Sequence, residues 1–144
     1  MSEGGQTAPE LPAEELARLR ETFARVPYVG LLGFEFVRAR RGAATFALEV
    51  REELTRMGGI LHGGAVVSLL DTAAAFAVHT VIEPEGRTVT VDLTVHFLRP
   101  AYSGRIEAHA RVLRRGRRLC ILSVEARDAA EIIATATMTY FIQT

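Results

Sequence analysis

With 144 residues, 49% of them hydrophobic and 24% charged, the chain has the balance of one folded domain with its own core, not of a disordered segment. Its formal net charge is zero, 17 basic against 17 acidic residues, which removes the usual electrostatic reason to expect nucleic acid or a membrane surface as partner. A single cysteine, Cys120, excludes an intrachain disulfide framework and fits a reducing, cytoplasmic setting.

Residues 1–10 read as a loose tail, and MSEGGQTAPE shows no basic region followed by an apolar run, so no secretory signal is expected. Pro12, ahead of AEELARLRETFARV, marks a helix start, with leucines and Phe23 giving an amphipathic face. Pro27 is expected to end that helix. The expected organisation is therefore a tail and short helix over 1–27, then a single domain over 28–144. LLGFEFVRAR and GAATFALEV next bring Phe34 and Phe36, then Ala44, Phe46, Leu48 and Val50, to alternating positions about a bend at Gly42. That is a hairpin pattern. REELTRMGG carries no period and links onward.

From Gly64 to about Thr80 the sequence is alanine-rich, without proline or interior glycine, and reads as a helix. The run is apolar enough to raise a transmembrane segment. Asp71 and His79 within it, and the alternating strands after it, argue instead for a buried helix. Glu83-Pro84-Glu85-Gly86 stops it. Four strand-like runs follow, TVTVDLTVHFL, RIEAHARVL, RLCILSVEA and IIATATMTYF, separated by turns at 100–104, 115–117 and 128–131. The class is α+β. The four late strands are expected to form an antiparallel meander covering the central helix, the only long apolar element. That helix is apolar almost all round, so the sheet curls about it or a second copy covers the rest, and a homodimer is expected.

His62-Gly63-Gly64 stands immediately before the helix, where the first backbone N–H groups are unpaired and the dipole is positive. Such a junction is either an oxyanion-binding turn or a plain loop-to-helix connection. Asp71 is a costly residue in an apolar helix. It either activates a water or attacks a carbonyl, or it is structural, accepting from Ser68, Thr72 or a second chain. His79 lies eight positions on, ~12 Å along a helix, and reads as structural. Asp92 and His96 are ~13 Å apart along a strand and cannot share one ion. With no zinc spacing among the four histidines and Cys120, no metal is expected. Cys120 alternates with Leu122 and Val124 and reads as a buried hydrophobe. VVSLL around Ser68 is not a nucleophile elbow, and HGGA lacks the Gly-Lys-Ser/Thr of a phosphate loop.

HGGAVVSLLD followed by TVTVDLTVHFLRP resembles the hot-dog-fold acyl-CoA thioesterases of the phenylacetate-degradation (PaaI-like) type, over about residues 29–142. The resemblance implies a central helix inside a curved antiparallel sheet. It also implies dimers that join their sheets side by side, pairing of dimers into a homotetramer, and active sites at the dimer interface. The implied reaction is hydrolysis of an acyl-CoA to a free acid and CoA, with no metal and no dissociable cofactor. By the same resemblance Asp71 is the catalytic acid, reaching a thioester held against the partner's HGG loop. Gly63 polarises the carbonyl through its N–H, with Gly64 beside it, His62 shapes the site, and Thr90 supplies a hydroxyl for the water. Arg56 stands where many relatives have asparagine. It donates to the oxyanion, turns to a CoA phosphate, or weakens the chemistry. Arg99, Arg114, Arg115, Arg117 and Arg118 are candidates for the CoA phosphates, against the plainer reading of exposed hairpin arginines. Alternatives to hydrolysis are an acyl-CoA or acyl-carrier binding protein with little turnover, and a hot-dog hydratase or dehydratase.

Overall fold

The strand periods of the sequence become one six-stranded antiparallel sheet in the computed structural model, which describes residues 8–143. The strands are β1 (Glu35–Arg40), β2 (Ala43–Glu49), β3 (Arg87–Phe97), β4 (Arg105–Arg115), β5 (Leu119–Arg127) and β6 (Ile132–Gln143). Their order across the sheet is β1-β2-β4-β5-β6-β3. The expected meander holds for β4, β5 and β6, but β3 does not join β4. Both edges of β4 are taken, by β2 and β5, so β3 pairs with the free edge of β6, and residues 98–104 are a crossing rather than a hairpin turn.

The sheet curls around helix α3 (Gly63–His79), the hot-dog arrangement. Register shifts at Phe36/Arg38, Thr90/Asp92, Val112/Arg114 and Ala126/Arg127 bend the strands. Inward alanines such as Ala108, Ala126 and Ala134, all fully buried, let the helix approach closely. Both ends of α3 are pinned. Ahead of it, Leu61 N–H donates to the Ala101 carbonyl and His62 N–H to that of Leu54, each at 2.8 Å. Behind it, Thr80 Oγ1 donates to the Ala77 carbonyl and accepts the Gly42 N–H at 2.7 Å. Arg41 donates to the Thr80 carbonyl. Gly42 has φ 80°, so the bend of the first hairpin also serves as a stop for the helix.

The N-terminal region differs from expectation. Helix α1 (Ala13–Ala24) ends before Pro27, which instead opens a second helix, α2 (Pro27–Leu32), at a first-turn position where proline's missing N–H is harmless. Gly33, at φ 69°, closes α2 in the left-handed region. Phe23 of α1 packs into an aromatic cluster with Phe36, Phe46 and Phe76, ring centroids 4.8–6.0 Å apart, joining α1, the first hairpin and α3. Residues 1–7 of the expected loose tail lie outside the described residues. Residues 8–10 are not loose: the Pro9 carbonyl accepts the Arg41 N–H at 2.9 Å, and Glu10 bridges to Arg40. Among the described residues no helix is long and apolar enough to cross a membrane.

Phe46 is fully buried at the centre of the aromatic cluster. Phe46→Ala is expected to cost about 3–5 kcal/mol, through lost burial and the cavity left behind. The denaturant midpoint measured against the unsubstituted chain checks it.

Candidate active site

The start of α3 is built by its own side chain and by two glycines. His62 caps the helix, its Nδ1 accepting the Gly64 N–H at 2.8 Å, which assigns the remaining ring proton to Nε2. A Cβ on Gly64 would stand 2.9 Å from that Nδ1, so the cap requires glycine there. The Gly64 N–H is thereby used, whereas the Gly63 N–H has no acceptor among the described residues. Gly63 is itself covered: a Cβ would meet Phe97 Cζ at 3.3 Å. The Gly63 N–H thus sits at the positive helix end, beside an aromatic ring.

A cavity of about 310 Å³ opens at this point, lined by Gly63, Ile60, Phe97, Leu98, Arg56 and Arg99, among others. Arg56 is exposed, on a tight loop made by Gly58 and Gly59 at φ 89° and 74°, and its Nη1 donates to the Met57 carbonyl. Arg99 pairs with Glu131 at 2.9 Å. Of the arginines proposed for phosphate, these two share the cavity with Gly63. Arg114, Arg117 and Arg118 do not. They belong to the β4–β5 hairpin, which reaches the other end of α3, where Arg115 donates to the Val81 carbonyl. Arg118 lines a separate depression with Arg87 and Gln143.

Asp71 is half-buried in the middle of α3 and lines a second cavity, of about 300 Å³. Its Oδ1 accepts from Thr90 Oγ1 at 3.0 Å and from the Tyr140 hydroxyl. The same hydroxyl lies 2.8 Å from the Asp71 backbone carbonyl. Thr90 and Tyr140 are direct cross-strand partners on β3 and β6, and the register shift after Thr90 falls beside them. A bulge at such a place aims a side chain, here the threonine hydroxyl. The local donors considered for a structural Asp71 serve other acceptors. Ser68 Oγ donates to the Gly64 carbonyl and Thr72 Oγ1 to the Ser68 carbonyl. Burial pushes the Tyr140 phenol well above its usual range, and the neighbouring Asp71 charge adds to this. Tyr140 is therefore a protonated donor, and Oδ2 of the carboxylate has no hydrogen-bond partner among the described residues.

Sequence reasoning did not name Tyr140. Its signal was present, since a tyrosine at an inward position between Met138 and Ile142 needs a partner for its hydroxyl. His79 ends α3 with its Nε2 3.3 Å from Thr88 Oγ1, and burial lowers its pKa, so it is not a cation for the helix dipole. Cys120 is fully buried, its thiol pushed up by burial. Among the described residues no group of three or more His, Cys, Asp or Glu side chains could hold a metal ion.

Within one protomer Gly63 and Asp71 line different cavities, eight residues or ~12 Å apart along the helix. They cannot meet on one carbonyl group from the same chain.

Two substitutions follow from these contacts. Tyr140→Phe removes a hydrogen bond to a charged group and is expected to cost about 1.5–3 kcal/mol of stability. Denaturant unfolding checks it. Gly64→Ala displaces the His62 cap and is expected to cost about 1 kcal/mol of stability, measured by thermal unfolding.

A family model described as the thioesterase superfamily matches residues 58–134. The chain is 31% identical over 150 aligned positions to YigI of Escherichia coli K12, described as a medium/long-chain acyl-CoA thioesterase, covering 92% of this chain and 97% of the relative. Superposition on the crystal structure of a thioesterase family protein from Silicibacter pomeroyi gives a TM-score of 0.82 at 32% identity, covering 87% of this chain and 95% of that one. A phenylacetic acid degradation-related protein from Ralstonia eutropha JMP134 gives 0.79 at 29% identity, with 87% and 97% covered. Gly63, Asp71 and Thr90 all fall inside the matched segment, and the chain belongs to the thioesterase superfamily, in its PaaI-like hot-dog branch.

Proposed function

We propose that the protein is an acyl-CoA thioesterase working as a homodimer, with each active site shared between two copies. The observation that carries this reading is the carboxylate of Asp71, held by two hydroxyl donors on one oxygen and without a hydrogen-bond partner on the other among the described residues, in a chain whose helix begins with a free Gly63 N–H. Family membership supports thioester hydrolysis as the reaction class.

The dimer is supported by β3. It pairs with β6 alone, so its outer edge is open among the described residues, and Val89 and Val91 on it are 52% and 55% exposed. A long edge strand with exposed valines is a template for pairing with another strand. Two β3 edges related by a two-fold axis continue the sheet and bring the two helices alongside each other. In this arrangement the thioester carbonyl lies against Gly63 of the partner subunit, with Asp71 of the first protomer beside it. Arg56 and Arg99 flank the Gly63 cavity and suit the CoA phosphates. Arg114, Arg117 and Arg118 could reach the same substrate only from the other protomer. Pairing of two dimers into a tetramer is a further level of the same proposal, read by sedimentation.

In the mechanism, Asp71 Oδ2 takes a proton from water as the water oxygen adds to the carbonyl carbon. The oxygen of that carbonyl gains negative charge, received by the Gly63 N–H and the helix end. Collapse breaks the C–S bond, and the thiolate leaves with the proton that Asp71 had taken. Two donors on Oδ1 hold the carboxylate still and draw charge from it, which suits a base better than a nucleophile. A single turnover in ¹⁸O-water tests the nucleophilic route, since a mixed anhydride opened by water at the Asp71 carbonyl leaves label in the protein, and trapping an acyl-Asp71 species with hydroxylamine tests the case in which water attacks the acyl carbonyl.

Asp71→Asn keeps the size and the hydrogen bonds and is expected to lower thiol release from acyl-CoA at least ~100-fold while assembly is retained. Gly63→Pro removes the same N–H at a position where helices accept proline. Mixing these two inactive variants as subunits is expected to restore about a quarter of wild-type activity, because half of the dimers carry one intact site. No recovery, with mixed dimers demonstrated, would overturn the shared site. Tight acyl-CoA binding without thiol release in the wild type would favour the binding-protein alternative.

A further inference from the structure

Helix α3 is enclosed on most of its circumference. Leu69, Leu70, Ala73, Ala74, Ala77 and Val78 are buried to below 1% exposure, whereas Asp71, Thr72, Ala75 and His79 are only half-buried. These four recur at the one- and four-residue spacing of a single helical face. That face borders the Asp71 cavity, and the opposite wall comes from the N-terminal helices through Thr22, Val26 and Val29.

The cavity has two distinct ends. At one, Asp71 is held by Thr90 and Tyr140. At the other, His79 is hydrogen-bonded to Thr88 at 3.3 Å. Thr88 and Thr90 alternate on β3, ~7 Å apart along the strand, and Asp71 and His79 stand two turns apart on α3, ~12 Å along the helix. Between them the lining is apolar, with Val26, Val29, Phe76 and the small Ala75. No arginine lines this cavity, whereas two line the cavity at Gly63. A polyphosphate therefore has no partner in it, and an alkyl or aryl chain does.

Resting on the thioesterase reading above, we infer that this cavity is the acyl pocket and that the His79–Thr88 pair is its floor, making His79 the residue that limits acyl length. The chain enters beside Asp71 and runs along the half-open face of α3 towards α1. Acyl groups of medium length fill the pocket. Longer ones must displace the imidazole.

The test is a series of saturated acyl-CoAs from acetyl to palmitoyl, with Kd measured in the Asp71→Asn background so that no turnover is required. Thiol release is measured in parallel in the otherwise unsubstituted chain. In the Asp71→Asn background affinity is expected to rise by about fourfold per methylene until the floor is reached, then to level or fall. Adding His79→Ala moves that break to longer chains. Ala75→Phe narrows the middle of the pocket, moves the break to shorter chains, and serves as a second variant should His79→Ala fail to fold. An unmoved break in both variants overturns the inference while leaving hydrolysis intact. Length-dependent binding that shifts with His79 but is accompanied by no thiol release upholds the pocket and overturns the thioesterase reading instead.

Discussion

The enclosure of α3 by a curved sheet is the constraint on which the rest of the molecule depends. A helix that is apolar over most of its circumference must find apolar surface on nearly every side, and six strands bent by register shifts provide it. What the sheet leaves uncovered is a narrow strip, and every candidate group on the helix lies along it or at its start. Burial here does not surround the site as an afterthought. It decides which helix residues can touch a substrate at all.

Holding a carboxylate on such a strip raises a second problem, because an acid amid apolar neighbours needs donors that do not themselves take up the reactive oxygen. The fold meets it from the sheet and not from the helix. Ser68 and Thr72 turn back onto helix carbonyls, and the donors arrive from β3 and β6, where Thr90 and Tyr140 are paired across the strands. The rigid ladder between those strands fixes two hydroxyls at once. A positioned acid is thus a product of strand register as much as of helix position.

Much of this was legible in the sequence, for identifiable reasons. The absence of helix breakers between Gly64 and Thr80 predicts the helix, alternation predicts all six strands, and His62-Gly63-Gly64 and Asp71 stand out by chemistry and by resemblance. Less legible was what depends on contacts distant in the chain. Tyr140 is 69 residues from Asp71, and nothing in MTYFI says which acid its hydroxyl meets. The pairing of β3 with β6 was hidden because alternation fixes a strand's faces but not its neighbours. Pro27 was read as a stop because proline ends one helix as readily as it opens the next, and only the six-residue α2 distinguishes them. The arginines of the β4–β5 hairpin looked close to the site in sequence, yet the protomer holds them at the opposite end of α3.

The neighbour relation of β3 has a consequence for how the chain comes to be folded. Synthesis proceeds from the N-terminus, and β3 has no partner within its own chain until β6 has emerged. In the interval its valine-bearing edges are both unpaired, the condition in which strands find wrong partners most readily. Helix α3 waits as well, since β4, β5 and β6 form much of its enclosure. The last strand described is therefore the one that closes the core, silences one edge of β3 and delivers the hydroxyl to Asp71, so that completion of the fold and completion of the acid's surroundings are a single late event on the ribosome or after it.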